Sequence, residues 1–331
     1  MPTTTPDLDV IRTLVRENAR AHGRVFRRRD LVDLGLDPDL VKTMMRRRWW
    51  TRLHHGVYAD VADLDPARGN RAVHLVHCAA AIRALPGPAF AWGPSAALAH
   101  DLPIDRNIPL NVTLTRGPGP DQRALHRRVS RPSLLVDVDV HSYDLGEQDR
   151  VNMNGVWSAS RDIAAIGAAA RSTDDWAVVT LDAAAWRRPA APAQLVETAE
   201  AFPRLRGIGT VRRVAPLVRS GAQTPLETLS RLRLVRCSLP EPALQVAIYD
   251  GSELAGVVDM LWREWRIVGE ADGAVKYNSR DDLLREKERE DRIRSLGYSF
   301  VRWTWREIMT EPQSVARRIR KARAHSQRSV A

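Results

Sequence analysis

The first 60 residues pass from apolar side chains at helical spacing to the alternation of short strands. Three segments have apolar residues at helical spacing, and each is followed by residues that typically end a helix. Two short runs in which apolar and polar residues alternate come after them. These elements lie at residues 10–22, 30–34, 38–48, 49–53 and 56–58. Gly35 ends the second helix, and the third begins with Asp37 as N-cap and Pro38 as its first residue. Three helices and a strand–turn–strand ribbon predict a winged helix-turn-helix domain over residues 1–60.

Positive charge is concentrated in this segment. Between Arg24 and Tyr58 there are nine Lys or Arg residues and four Asp, a net charge of +5. A basic third helix beside a basic ribbon suits entry into the major groove with phosphate contacts on either side. The predicted DNA-binding residues are Lys42, Arg46, Arg47, Arg48 and Arg52. The alternative is that the three consecutive arginines only complement the dipole at a solvated helix end.

The order of helices and ribbon, closed by Arg52-Leu53 and Gly56-Val57-Tyr58, resembles the N-terminal domain of AbiEi-type antitoxins. Those antitoxins belong to type IV toxin–antitoxin and abortive-infection systems, in which that domain binds operator DNA. The resemblance therefore implies double-stranded DNA as a partner and a cognate toxin as a further one.

The region from 70 to 222 predicts a mixed α/β middle domain. It has helices at 71–85 and from Ser95, strand candidates, and two Ala-rich helices. The strand candidates and Ala-rich helices lie at residues 111–115, 134–140, 151–156, 161–171 and 174–187. The segments Ser95-Ala96-Ala97 and Ser160-Arg161-Asp162 resemble the central domain of AbiEi-like proteins. The histidines here show no metal-ligand spacing, so we expect this region to connect two functional ends.

Two apolar runs near the C-terminus, 254–262 and 266–269, flank Arg263-Glu264 and predict a β-hairpin. Asp259 lies in the first run. Glu270 and Asp272 close the second on one face, because strand side chains repeat every two residues. Carboxylates gathered at strand ends repel one another and are costly to desolvate, and a hard cation such as Mg²⁺ relieves both effects. With a nearby lysine, such a site suits hydrolysis of phosphodiesters.

The order of polar residues across 223–310 resembles the PD-(D/E)XK nuclease superfamily, and most closely the very-short-patch-repair endonucleases. An Asp291-Arg292 helix and the segments 296–298 and 301–303 follow the carboxylates in the order of that branch. The resemblance implies Mg²⁺ or Mn²⁺ held by Asp259 and Glu270. The catalytic residues that it implies are Glu227, Asp259, Glu270, Asp272 and Lys276. One position departs from the pattern, because Asp272 stands where the superfamily places its lysine, and the nearest lysine lies four residues later.

Each of these residues has a structural alternative. Glu227 follows Thr224-Pro225 as in a capping box, Asp272-Gly273 is compatible with a turn, and Lys276 with a solvated strand end. Asp259 has the weakest alternative, since a carboxylate within an apolar strand is rarely buried without a partner.

Composition sets the wider frame. The chain has 331 residues and a net charge of +11, which indicates an anionic partner. Cys78 and Cys237 are too few for a disulfide framework or a zinc site. No apolar run has the length of a membrane span and no signal-peptide core is present, so we expect no membrane partner and a cytoplasmic location.

The sequence thus predicts a multidomain α+β protein. It has a winged helix-turn-helix, an α/β middle domain, a restriction-endonuclease-like α/β/α domain and a basic tail. These occupy residues 1–60, 70–222, 223–310 and 311–331. Two functions are compatible with this organisation: a Mg²⁺-dependent DNA endonuclease, or an antitoxin-like autoregulator with a degenerate nuclease fold. The preserved carboxylates favour the first, and the displaced lysine favours the second.

Overall fold

The structure is a computed structural model that describes residues 7–108, 111–117, 127–128, 136–272 and 280–328. For 127–128, 280–283 and 326–328 only the backbone is described. The described residues form a mixed α and β protein with several sheets. The chain divides into two compact units, one of residues 1–180 and 195–213 and the other of 181–194 and 214–331.

The N-terminal segment of the first unit, residues 7–60, contains three helices and three strands. They are α1 Leu8–Arg20, β1 Val25–Arg27, α2 Arg28–Asp33, α3 Leu40–Arg46, β2 Trp50–His54 and β3 Val57–Asp60. The strands form an antiparallel sheet in the order β1-β3-β2. Phe26 packs edge-on against Trp50 with ring centroids 4.6 Å apart, and these rings hold the ribbon onto the helices.

The helices of this segment differ slightly from the sequence prediction in their buried faces and boundaries. The buried face of α1 consists of Ile11, Val15 and Ala19, whereas Val10 and Leu14 are exposed. The third helix begins at Leu40, two residues later than predicted. Asp37 nevertheless accepts a hydrogen bond from the backbone N–H of Asp39 at 2.8 Å, so it stabilises the turn that leads into the helix.

The rest of the first unit surrounds a six-stranded sheet with the strand order β6-β7-β5-β4-β9-β8. Its elements, some of which extend beyond the unit, are α4 Asn70–Ala84, β4 Phe90–Ala91, α5 Gly93–Ala99, β5 Val112–Thr115, β6 Arg127–Arg128, β7 Val138–His141, β8 Arg150–Met153, β9 Val156–Ala159, α6 Arg161–Ala169, α7 Asp174–Ala185, α8 Ala191–Glu200 and α9 Ile208–Val214. The single strand predicted at 151–156 is instead the hairpin of β8 and β9. Its turn needs Gly155, which has a positive φ of 86°.

The hairpin turn touches the N-terminal segment. A Cβ atom at Gly155 would lie 2.0 Å from the backbone nitrogen of Gly23, and one at Gly23 would lie 2.5 Å from the Cβ of Ala79 on α4. Larger side chains do not fit at either glycine. The N-terminal segment, α4 and the β8–β9 turn are therefore packed backbone against backbone within the first unit.

The second unit has the element order αβββαβ followed by two helices. The elements are α10 Pro225–Arg236, β10 Ala243–Asp250, β11 Glu253–Trp262, β12 Ile267–Asp272, α11 Arg280–Ser295, β13 Ser299–Thr304, α12 Trp305–Thr310 and α13 Pro312–Arg328. The sheet order is β10-β11-β12-β13; the first two pairings are antiparallel and the last is parallel. The predicted hairpin is thus present as β11 and β12, while β10 was not predicted.

The sheet of the second unit has an apolar cluster on each side. One includes Met260, Trp262 and Trp303, and the other includes Val258 and Ile293. The segment expected as a basic tail is the helix α13. Its residues Val315, Ala316 and Ile319 are fully buried in the first cluster, so α13 is part of this unit's core. Trp305, the first residue of α12, is 42% exposed.

Candidate functional site

The five predicted DNA-binding residues all have exposed side chains. Lys42 and Arg46 lie one turn apart on α3. Arg47 is the C-cap of that helix, and Arg48 follows it with a positive φ of 58°. Arg52 lies on β2. The helix end and the ribbon therefore present a continuous stretch of cationic sequence to solvent.

Few acidic groups neutralise this basic surface. Lys42 pairs with Asp39 at 3.2 Å, an exposed contact that contributes little. The guanidinium of Arg47 lies 5.3 Å from the centre of the Trp49 ring. Within the described part of the chain, Arg48 and Arg52 have no ion pair. Most of the surface therefore remains available to an anionic partner.

Some of the charge counted from the sequence is already compensated inside the fold. Arg24 lies 3.0 Å from Asp63 and Arg12 lies 2.6 Å from Asp60, and both aspartates are buried. These pairs join α1 and the turn after it to Asp60, the last residue of β3, and to Asp63 in the turn that follows. Their role is to hold the segment together rather than to meet DNA.

In the second unit, Asp259 lies where the sheet ladder is interrupted. Leu244 pairs with Met260 and Val246 with Val258, which places Gln245 opposite Asp259, but Gln245 has a φ of 46° and the pair is absent from the ladder. Leu244 and Met260 pack on one side of the sheet, while Val246 and Val258 pack on the other. Such irregularities re-aim side chains. This one places an amide beside a carboxylate.

Hydrogen bonds fix Asp259 in this position. The backbone N–H of Ala271 donates to Oδ2 at 3.1 Å, and Nε2 of Gln245 donates to Oδ1 at 3.3 Å. The same Nε2 lies 3.1 Å from Oε2 of Glu227, so one amide joins two carboxylates. Burial raises the pKa of Asp259 to about 6, and the charge of Glu227 adds to the shift.

Glu227 has both the capping role and a place in this cluster. Its N–H donates to Oγ1 of Thr224, the N-cap of α10, and its own carboxylate accepts from the hydroxyl of Thr224 and the backbone N–H of Gln223. Glu227 is 4% exposed. The two interpretations considered from the sequence are therefore compatible.

Glu270 is paired with two arginines. Oε1 lies 2.6 Å from Arg289 on α11, and Oε2 lies 3.0 Å from Arg302 on β13. Burial raises the pKa of Glu270, and Arg289 opposes that shift. Continuing the ladder from Met260 and Gly269 places Glu270 opposite Asp259. The two carboxylates predicted as metal ligands therefore lie on adjacent strands.

Asp272 lies at the end of β12 and is partly exposed. Its carboxylate is 3.7 Å from Arg302, and burial raises its pKa. Lys276, the remaining predicted catalytic residue, lies outside the described residues.

The acidic residues around Asp259 and Glu270 form a group that we name the carboxylate cluster. Its members are Glu227, Asp259, Glu270, Asp272, Glu286 and Glu290, with Arg289 and Arg302 as its counter-charges. Arg294 also pairs with Glu290, so six carboxylates face three guanidiniums, and the cluster keeps an excess of negative charge that a cation would reduce.

Sequence reasoning missed three residues of this cluster. Gln245 lies on β10, whose alternating residues from Ala243 to Tyr249 were the available signal. Arg289 was not selected, and Arg302 was noted only as part of a strand motif. Both contact Glu270 from elements that follow it in the chain, and local patterns give no sign of such pairs.

The donor set can be tested for its fit to Mg²⁺. Mg²⁺ is usually bound through one or two carboxylates together with water, and Asp259 and Glu270 supply two. A carboxylate oxygen can accept more than one bond, so the contacts to Gln245 and Arg302 do not fill these groups. Among the residues with described side chains, no group of three or more His, Cys, Asp or Glu is arranged to hold a metal ion. Metal binding by Asp259 and Glu270 therefore stays a prediction, and the described side chains do not by themselves form a metal site.

Comparison with known proteins gives a match at the N-terminus. Residues 14–59 match the family model described as transcriptional regulator, AbiEi antitoxin. That range covers α2, α3 and the ribbon, and it includes all five exposed cations. The match agrees with the resemblance of this segment predicted from the sequence.

Two curated relatives cover a larger part of the chain. Both are uncharacterized proteins of Mycobacterium tuberculosis, one from strain CDC 1551 / Oshkosh and one from strain ATCC 25618 / H37Rv. Each is 30% identical over 144 residues, which is 43% of this chain and 53% of the relative. The chain therefore spans about half the length of the curated relatives it matches. In the described residues, no helix combines the length and apolar character that crossing a bilayer requires.

Proposed function

We propose that this protein is a DNA-binding transcriptional regulator of the antitoxin type. The observation that carries the proposal is the exposed basic surface of α3 and β2, which falls within the range matched to the AbiEi regulator model. The order α1-β1-α2-α3-β2-β3, with sheet order β1-β3-β2, supports a winged helix-turn-helix. A cognate toxin is a second partner in this proposal.

In this proposal α3 enters the major groove and the ribbon lies along the phosphates. Lys42 is in the middle of the exposed face of α3, so it faces the base edges. Arg52 on β2 and the arginines at the helix end contact the backbone, which positions the protein without reading sequence. Val41 and Met44 are buried and attach the helix to the core.

The test is selection of duplexes from a random pool, followed by titration of a selected and a shuffled duplex. The wild type should prefer the selected duplex by about 10³-fold or more. Lys42→Ala should reduce that preference, while Arg52→Ala should weaken binding to both duplexes equally. Arg106→Gln, at an exposed site outside the basic surface, is the control. Failure of the pool to yield any preferred duplex would contradict the proposal.

A second candidate function is Mg²⁺-dependent hydrolysis of phosphodiesters by the second unit. The observation that favours it is the position of Asp259 and Glu270 on adjacent strands of an αβββαβ unit, with Glu227 linked to Asp259 through Gln245. This arrangement supports the resemblance to PD-(D/E)XK nucleases. When bound, Mg²⁺ would polarise the phosphoryl group and activate water.

The chain's own residues would prepare that site. Asp259 and Glu270 would hold the cation, and Gln245 orients Asp259. Arg289 and Arg302 balance the charge of Glu270 before a cation arrives. Asp272 stands at the position of the usual lysine, and its negative charge gives no stabilisation to a phosphorane-like transition state. This residue is the observation against catalysis.

Supercoiled plasmid incubated with the full chain and Mg²⁺ or Mn²⁺ separates the two candidates. Cleavage that disappears in Asp259→Asn and on chelation supports the nuclease. Cleavage that persists in Asp259→Asn comes from a contaminant. The nuclease candidate fails if neither cation gives cleavage, and the regulator then stands alone.

A further inference from the structure

A cleft in the first unit lies outside both candidate sites. It has a volume of about 920 Å³, which is in the range of small-molecule sites in proteins. Its walls come from the α1–β1 turn, α4, the loop before β4 and the β8–β9 hairpin. Three of these elements, the α1–β1 turn, α4 and the β8–β9 turn, meet closely at Gly23 and Gly155, so the cleft has a closely packed base.

The cleft is rich in arginine. Arg27, Arg83 and Arg150 line it, and the acidic residue among its lining is the exposed Glu147. Arg83 pairs with Asp30, and Arg150 donates to the backbone oxygen of Leu145. Three guanidiniums around one solvent-filled space form an environment that favours an anion.

Arg27 is the least compensated of the three. Its guanidinium is half-buried and has no ion pair within the described portion of the chain. Burial lowers the pKa of Arg27, and the charges of Arg83 and Arg29 lower it further. Nε of Arg83 is buried and has no hydrogen-bond acceptor among the described residues. A phosphate in the cleft would supply acceptors to the exposed part of the Arg27 guanidinium, because its oxygens match the fork of that group.

An exposed aromatic ring stands at the same cleft. Trp157 on β9 is 47% exposed, although large aromatic side chains are usually buried. Phe90 also lines the cleft, where it is covered by the guanidinium of Arg150 at 5.0 Å. An exposed indole beside Arg27, which is unpaired among the described residues, suits a ligand that has both a planar ring and a phosphate.

We propose that this cleft binds a nucleotide, with its phosphate at Arg27 and Arg83 and its base against Trp157, and that occupancy changes the affinity for DNA. Asp30 provides the link. It lies in the first turn of α2, accepts from the backbone N–H of Arg27 at 2.8 Å and pairs with Arg83. A phosphate that draws Arg83 away from Asp30 alters the start of α2, the helix before α3.

Calorimetry with the full chain, without DNA, tests the site itself. The probes are ribonucleoside mono-, di- and triphosphates, adenosine and inorganic phosphate. A nucleotide should bind at least about tenfold more tightly than inorganic phosphate or adenosine, because only the nucleotide engages both the arginines and the ring. Inorganic phosphate that binds as tightly as every nucleotide overturns the assignment of the ring.

Variants locate the binding. Arg27→Gln should weaken nucleotide binding by at least about tenfold, and Trp157→Leu by about fivefold or more. Arg106→Gln should bind as the wild type does. Arg27→Lys, which keeps the charge but not the fork, should give an intermediate loss and replaces Arg27→Gln if that variant unfolds. Unchanged affinity in both Arg27 and Trp157 variants, or no binding below about 1 mM, overturns the proposal.

The link to DNA rests on the proposed regulator function and has its own readout. A saturating nucleotide should change duplex affinity at least about threefold in the wild type and not in Trp157→Leu at the same concentration. Nucleotide binding without any change in duplex affinity overturns the link through Asp30 and leaves the site. If Arg27→Gln weakens duplex binding in the absence of nucleotide, the arginine contacts DNA and the proposal is wrong. If no duplex binds, the regulator function fails, while calorimetry still decides the site.

Discussion

Arg302 and Glu270 are Cα partners in the parallel ladder of β12 and β13, and the guanidinium of Arg302 lies 3.0 Å from Oε2 of Glu270. Arg289 approaches the other carboxylate oxygen from α11. Glu270 therefore lies in a buried position with two cationic protein partners, which oppose the rise in its pKa that burial causes. A metal ion that binds the carboxylate of Glu270 must compete with these two arginines.

Replacement of Arg302 with Gln should destabilise the second unit and strengthen cation binding. Arg302 lies near Glu270, Asp272, Glu286 and Glu290, so its loss leaves four carboxylates with less compensation. We expect a loss of about 1–3 kcal/mol in the free energy of unfolding, partly restored by Mg²⁺. Urea denaturation with and without Mg²⁺ measures both effects. Arg294→Gln, which removes an exposed pair with Glu290, should cost no more than about 0.5 kcal/mol. Equal losses in the two variants would refute the role of Arg302.

Asp259 should make stability depend on pH. Its pKa is raised from 3.8 to about 6 in the folded chain, so the folded state holds a proton that the unfolded state releases. Stability from this group is present below about pH 4 and is lost as the pH rises through about 6. Asp259→Asn does not titrate, so between pH 4 and 7 it should gain about 2 kcal/mol relative to the wild type. Unfolding measured across this range, with Glu288→Gln as an exposed control, checks the shift. A pH-independent difference contradicts it.

Gln245 should determine the charge state of Asp259. Its amide donates to both Asp259 and Glu227, so Gln245→Leu removes a donor that favours the ionised carboxylates. We expect the titration of Asp259, followed by carbon NMR of the side-chain carboxyl, to move to higher pH. Stability should fall by about 1 kcal/mol. In the double variant with Asp259→Asn the loss should be smaller, since the amide of Gln245 then has only a neutral amide oxygen at position 259 in place of a charged acceptor. Strictly additive losses would mean that the hydrogen bond carries no energy.

Asp182 should be needed for folding of the second unit. It is fully buried, lies 2.9 Å from Arg231 and also accepts from the backbone N–H of Arg219 and the hydroxyl of Thr228. Removal of its charge leaves the buried Arg231 with the half-exposed Glu241 as its one remaining ionic partner among the described residues. Asp182→Asn should cost about 3–5 kcal/mol. A fragment of residues 181–331 should show a cooperative thermal transition, whereas 223–331 should not. A cooperative transition in the shorter fragment contradicts the importance of this pair.

The parts of the fold that the sequence predicted are those specified by local rules. The β11–β12 hairpin follows from two apolar runs on either side of Arg263-Glu264, and α10 follows from its Thr-Pro-x-Glu start. The strand β10 was missed because half of its residues are exposed. In the folded sheet, Gln245 interrupts the pairing of β10 with β11.

The partners of the site were beyond local rules. Asp259, Glu270 and Glu227 could be selected because carboxylates in or beside apolar runs need a reason to be there. That Arg289 and Arg302 would neutralise Glu270 depends on a helix crossing over the sheet, and the pair of Asp182 with Arg231 spans 49 positions. Contacts between distant segments of the chain produce no repeating pattern of apolar and polar residues by which they could be recognised in the sequence. The domain boundaries proposed from the sequence remain predictions, and the two fragments above test the one at 223.

The salt dependence of duplex binding tests the central claim, that the exposed cations of α3 and the ribbon contact DNA. The wild type is compared with two triple variants. In the first, Arg46, Arg47 and Arg48 are replaced with Ala. In the control, Arg204, Arg206 and Arg212 are replaced with Ala, which removes the same charge from exposed sites elsewhere in the first unit. Affinity should fall in the first triple, and the slope of log affinity against log salt should decrease by about 0.9 for each lost contact. The control should keep the wild-type slope. A first triple that keeps both affinity and slope, or a control that loses as much, would contradict the account.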